Sequence, residues 1–152
     1  MKKIEQKIFI KAPKKIVWDV MFQKNTYSEW TKAFNEDSRY EGDWSEGTKM
    51  RFIGTDENKE NEGGMLSVIE KNIPHEYISI KHIGIIENGV EDTTSEKAKS
   101  WAGAYENYSF VEKNGETEVL IEQDMDEKYF EEFKEMWKKA LVRLKNLVEE
   151  RK

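Results

Sequence analysis

The sequence predicts an α+β fold: a curved antiparallel sheet of about six or seven strands wrapped around a long C-terminal helix, with two short helices after the first strand. Three observations predict it. Residues 126–150 place Phe130, Phe133, Trp137, Leu141, Leu144 and Val148 at steps of three and four, one stripe of a 3.6-residue helix. The middle of the chain is a series of short alternating segments joined by turn residues, which gives strands joined as hairpins. Between the first strand and that series lies a Pro-initiated stretch with helical spacing. A helix with so wide an apolar stripe cannot stand alone, so the sheet must supply a surface for it.

The elements follow in order. Residues 3–11 alternate, with Ile4, Gln6, Ile8 and Ile10 on one face, as in a strand with one buried side. Ala12-Pro13 ends it, and Ile16, Val17, Val20 and Met21 form a short helical stripe. A second helical piece covers 26–34 and carries Tyr27, Trp30 and Phe34. Strand-like segments follow at 38–42, 48–54, 65–71 and 77–86, with a polar acidic loop at 56–64 and Gly63-Gly64 marking a strand entrance or bulge. Residues 87–99 are the longest polar stretch and read as a loop. Residues 104–112 and 116–123 form a last hairpin through Asn114-Gly115, a strong hairpin signal. Asp124 with Glu127 fits a capping box at the start of the last helix. Met136, Ala140 and Leu147 widen its stripe, and Glu135 and Lys139 sit four apart on its charged side. At 1.5 Å per residue this helix is about 35–40 Å long.

Composition narrows the function. A chain of 152 residues is the size of one domain, and no boundary or repeat divides it. The formal net charge of −6 argues against nucleic acid and anionic membrane as partners. Cysteine is absent, which removes disulfides, thiol nucleophiles and cysteine metal sites. Met1-Lys2-Lys3 runs directly into the first alternating segment, so neither a secretory leader nor a membrane span is expected, and a cytoplasmic location is. Two separated histidines offer no metal spacing, and neither a phosphate loop, a serine elbow nor a dinucleotide fingerprint occurs. No cofactor is expected.

Two ionisable side chains stand out. His82 shares strand parity with Ile78, Ile80 and Ile86, so it faces inward, as a general base or a ligand anchor. The plain alternative is a histidine bonded to the backbone. His75, beside Pro74, is expected in solvent. Glu106 shares parity with Ala104, Tyr108 and Phe110, and an inward carboxylate costs several kcal/mol unless paired. The plain alternative is a carboxylate reaching solvent or pairing with Arg51 or Lys81. Trp18, Trp30, Phe34, Trp44, Phe52, Trp101, Tyr105, Tyr108, Phe130, Phe133 and Trp137 form a large aromatic set. Such a set lines a cavity for a flat or acyl ligand or simply packs a core.

Three stretches together resemble the START-like, birch-pollen-allergen-like superfamily, whose arrangement is termed the helix-grip fold. Ile10-Lys11-Ala12-Pro13-Lys14-Lys15-Ile16-Val17-Trp18-Asp19-Val20 resembles its opening of strand, Ala-Pro and Trp-bearing helix. Tyr40-Glu41-Gly42-Asp43-Trp44-Ser45-Glu46-Gly47 resembles the hairpin entering the sheet. Trp101-Ala102-Gly103, Tyr108-Ser109-Phe110 and Gly115-Glu116-Thr117-Glu118-Val119, followed by the long helix, are most similar to the branch homologous to the C-terminal domain of the heat-shock-protein-90 ATPase activator. The resemblance spans almost the whole chain, carried by the order and spacing of individually weak motifs.

The resemblance implies an apolar cavity between sheet and long helix that binds a hydrophobic small molecule such as a lipid or polyketide. Trp30, Phe34, Phe52, His82, Trp101, Glu106, Tyr108, Phe133 and Trp137 are the expected ligand-binding residues. A cyclase- or hydrolase-like enzyme using Glu106 or His82 is an alternative. So is an interaction module with a protein partner; oligomeric state stays open. The eukaryotic form of the co-chaperone branch acts through an additional N-terminal domain not seen in this sequence, which weighs against a chaperone role. The 87–99 loop and the 30–34 segment are expected to form the rim of the cavity and to gate entry, with Trp101 as an anchor.

Overall fold

A computed structural model describes residues 1–56 and 59–150; Glu57 and Asn58, within the predicted 56–64 loop, lie outside the described residues. The chain runs β1 (Lys2–Ile10), α1 (Lys14–Phe22), α2 (Lys24–Trp30), a 3-10 turn (Thr31–Ala33), β2 (Arg39–Glu41), β3 (Lys49–Thr55), β4 (Glu62–Ile73), β5 (Tyr77–Glu87), β6 (Val90–Asp92), α3 (Glu96–Trp101), β7 (Tyr105–Lys113), β8 (Glu116–Met125), a second 3-10 turn (Glu127–Tyr129) and α4 (Phe130–Glu149). The eight strands form one antiparallel sheet in the order β1-β8-β7-β5-β4-β3-β2, with β6 also paired to β5. The sheet is not closed; its curvature wraps α4, which packs on β1, α1, α2 and the first 3-10 turn. This is the helix-grip fold.

The stripe of α4 is the reason. Trp137, Ala140, Leu141, Leu144 and Val148 are buried, and Phe130 and Phe133 are half-buried. They meet Ile4 and Ile10 of β1, Val17 and Met21 of α1, Trp30 of α2, and Tyr108, Phe110, Val119 and Ile121 of the last hairpin in one core. Burying such side chains stabilises by roughly 1.5–3 kcal/mol each relative to exposure. Asn114 and Gly115 carry φ of 56° and 78°, the two positive values that a two-residue hairpin turn requires.

Several expectations are corrected. The sheet has eight strands, because 87–99 is not an open loop: Val90–Asp92 pairs with Ile85–Glu87, and Ser95 caps α3 by accepting from Ala98 N–H. β4 begins at Glu62, which shortens the 56–64 loop. α4 proper has 20 residues, about 30 Å at 1.5 Å per residue, because a 3-10 turn replaces its expected first turn. Asp126 caps that turn through Lys128 N–H, whereas Asp124 instead accepts from Tyr105 N–H at 2.9 Å, so the Asp124–Glu127 capping box does not form. Glu135 pairs with Lys138 at 3.1 Å and not with Lys139. His75 is half-buried with its ring 5.9 Å from that of Trp18, not free in solvent.

The parity of β5 is also broken. Ser67 pairs with His82 but Leu66 with Gly84, so Ile83 is bulged out and every later residue changes face. His82 therefore shares a face with Ile78 and Ile80 but not with Ile86. Ile86 joins Ile53 and Leu66 in a small separate cluster on the other side of the sheet.

Candidate functional site

A partly open pocket lies between the sheet and α4. α2 and the turn after it supply Tyr27, Trp30, Thr31 and Phe34; α4 supplies Phe133 and Trp137. β3 and β4 add Phe52 and Met65, and the central strands add His82, Glu106, Tyr108 and Gln123. With Ser38 they line a partly open space of about 170 Å³. A second, more open space of about 560 Å³ adjoins it, lined in part by Gly63, Glu87, Lys97 and Trp101. Phe34, Met65, His82, Gln123 and Phe133 line both spaces.

The polar groups of the inner space form one hydrogen-bonded chain. Trp137 Nε1 donates to Gln123 Oε1 at 2.7 Å, and Gln123 Nε2 donates to Glu106 Oε1 at 2.8 Å. Chemistry fixes that amide orientation, since an indole N–H can only donate and a carboxylate can only accept. The Tyr108 hydroxyl donates to Glu106 Oε2. His82 Nε2 lies 3.6 Å from Glu106 Oε1, an electrostatic contact longer than a hydrogen bond, and His82 Nδ1 sits 2.7 Å from Ser67 Oγ. The tautomer with its proton on Nε2 satisfies both neighbours: Ser67 O–H donates to Nδ1 and Nε2–H faces the carboxylate. Burial, with the Glu106 charge as the next cause, pushes the Tyr108 phenol well above its ordinary range. The Tyr27 phenol is raised for the same two reasons in the same order.

Ser67, His82 and Glu106 have the composition of a hydrolase triad, but the accessibility is reversed. Ser67 is fully buried and outside the cavity lining, whereas Glu106 is 18 % exposed and lines it. Ser67 therefore orients the imidazole, and the groups offered to an occupant are the His82 ring and the Glu106 carboxylate. The arrangement can hold a polar head by hydrogen bonding and charge, against walls that are mainly aromatic. Among the described residues no cluster of three metal-ligating side chains occurs, and no helix is long and apolar enough to cross a membrane.

Eight of the nine sequence-selected residues surround the inner space: Trp30, Phe34, Phe52, His82, Glu106, Tyr108, Phe133 and Trp137. Trp101 stands apart at the mouth, its ring stacked 6.4 Å from that of Tyr129 at the start of α4. The predicted partners of Glu106 are replaced: Arg51 pairs with Glu41 and Glu91, and Lys81 lies over the Tyr105 ring. Sequence reasoning missed Gln123, Met65, Tyr27 and Ser67. Gln123 shares strand parity with the buried Val119 and Ile121, and that parity was the available signal.

No protein-family model and no curated protein matches the chain. Solved structures do. The Aha1 dimer from Colwellia psychrerythraea is similar with a TM-score of 0.69 at 15 % identity, covering 97 % of this chain and 96 % of that one. The AHSA1-like protein from Aeromonas hydrophila gives 0.70 at 14 % identity over 97 % and 92 % of the two chains. DynU16, a protein in the dynemicin biosynthetic locus, gives 0.69 at 11 % identity; it matches 98 % of this chain, which spans 48 % of its length. At these identities the likeness is one of architecture: this chain shares the helix-grip fold of the Aha1 and AHSA1-like structures.

Proposed function

We propose that this chain is a small-molecule binding protein that holds a hydrophobic ligand between its sheet and α4. The observation that carries the reading is the 170 Å³ space walled by Tyr27, Trp30, Phe34, Phe52, Phe133 and Trp137, which shares five lining residues with a larger, more open space. A plainly packed core would interdigitate these rings and leave no void of that size. A cavity of about 150 Å³ is enough for benzene, so the inner space takes a ring or a compact head, and a longer body extends into the mouth. The placement of DynU16 in a biosynthetic locus for a small molecule is in keeping with such a ligand.

The test is native mass spectrometry of the purified chain, alone and with 1-octanol, combined with NMR of the tryptophan indoles. The reading expects a one-to-one complex and shifts of the Trp30 and Trp137 indole signals. Absence of any complex, with those signals unmoved, would refute it.

A further inference from the structure

The carboxylate of Glu106 lines an aromatic pocket that no lysine or arginine among the described residues lines. Among the described residues its ion-pair contact is with His82, at 3.6 Å. Tyr108 and Gln123 donate to it and lock its orientation, but a carboxylate offers about four lone-pair directions, so accepting capacity remains. Rings of Trp30, Phe34, Phe133 and Trp137 line the same space. An aromatic face attracts a cation through its quadrupole, more strongly where water is excluded. Lys97 is the one ammonium among the described residues lining the mouth, and it lies 3.5 Å from Glu87, while Glu62 in the same lining is paired with Arg39.

We propose that the occupant is an amphipathic organic cation, an amine or quaternary ammonium, with its head against Glu106 and its apolar body running past Met65 and Phe133 to the mouth. The proposal rests on the cavity reading above and names the ligand class for it. About 170 Å³ accommodates a trimethylammonium-sized head, and the 560 Å³ mouth takes the chain. A fatty acid or other anion would place like charges together beside Glu106, with no lysine or arginine among the described lining residues to offset them. The net charge of −6 adds a general attraction for cations that salt screens, whereas contact with the partly buried Glu106 carboxylate is screened less.

The experiment compares octyltrimethylammonium, 1-octanol and octanoate by tryptophan fluorescence and calorimetry on the full chain at pH 7, in 0.1 M and 0.5 M salt. The expected order is cation, then alcohol, then anion, with the cation at least about tenfold tighter than the alcohol and the preference kept in 0.5 M salt. Glu106→Gln is expected to remove the preference, so that the cation binds the variant no more tightly than octanol binds the same variant. The ligand series on the unaltered chain decides the matter even if that variant does not fold. If octanol or octanoate binds as tightly as the cation, or if 0.5 M salt abolishes the preference, the cation proposal is wrong while the cavity reading stands. If none of the three binds, both fail.

Discussion

Trp137 of α4 donates its indole N–H to Gln123 of β8 at 2.7 Å, and through that amide the long helix is coupled to Glu106. Trp137 is 2 % exposed, with its ring 4.8 Å from that of Phe34 and 5.9 Å from that of Trp30. Trp137→Ala is expected to cost about 3–5 kcal/mol in chemical denaturation. Trp137→Phe keeps most of the bulk but leaves the Gln123 oxygen without its donor, and about 1–3 kcal/mol is expected. A cost below about 1 kcal/mol for the alanine variant would show that the helix stripe is not anchored here.

The tyrosines give a second prediction. The folded-state values of Tyr27 and Tyr108 are raised, first by burial and then by the Glu106 charge. A raised value means that the native state holds its proton while the unfolded chain, at about 10, loses it. Stability is therefore unaffected below pH 10 and falls as pH rises beyond it. An alkaline absorbance titration should leave at least two of the six tyrosines un-ionised until the fold is lost. Six tyrosines titrating together near pH 10 with the fold intact would contradict the buried placement.

Acid acts at the other end of α4. Lys145 first, and the Lys11 amide next, hold the Glu149 carboxyl below its ordinary 4.5. A lowered value contributes stability that is present above the unfolded value and is lost as pH falls through the folded one. Melting temperature is expected to fall below pH 4.5, and less steeply in Glu149→Gln, which has already lost this contribution. Equal acid slopes in the two proteins would remove the role assigned to this contact.

The segment from β6 to α3 bears on access to the cavity. A Cβ on Gly84 would overlap the Asp92 carbonyl, so close approach of this segment to β5 requires glycine there. Gly84→Ala is expected to loosen 90–101 selectively: hydrogen exchange there should speed by at least about tenfold, and probe binding and release should both accelerate. If exchange in 90–101 is unchanged, the docking is not held by this contact. If exchange speeds while probe rates do not, the segment does not gate entry.

Much of this was legible in the sequence, and particular residues show why the rest was not. The stripe from Phe130 to Val148 and the Asn114-Gly115 turn are local patterns, and local patterns survive in a sequence. Glu106 and His82 could be selected because parity put them among apolar neighbours. Ile86 was placed on the wrong face because the bulge at Ile83 arises from pairing with β4, which no local pattern encodes. β6 and α3 were missed because their residues are polar and their order depends on the edge of β5 left free where β7 ends. Gln123 was passed over because a glutamine draws no attention until Trp137 and Glu106 are seen on either side of it.

The most direct test of the ligand cavity is to fill it from a residue that both spaces share. Met65 lines both the inner space and the mouth, so Met65→Trp puts a larger side chain into both. Overpacking is expected to cost about 1–3 kcal/mol, which leaves the fold intact by circular dichroism and thermal melting. The account predicts that the folded variant binds 1-octanol at least about tenfold more weakly than the unaltered chain, with the Trp30 and Trp137 indole signals no longer moved by it. Undiminished binding by a folded Met65→Trp variant would contradict a ligand site beneath α4.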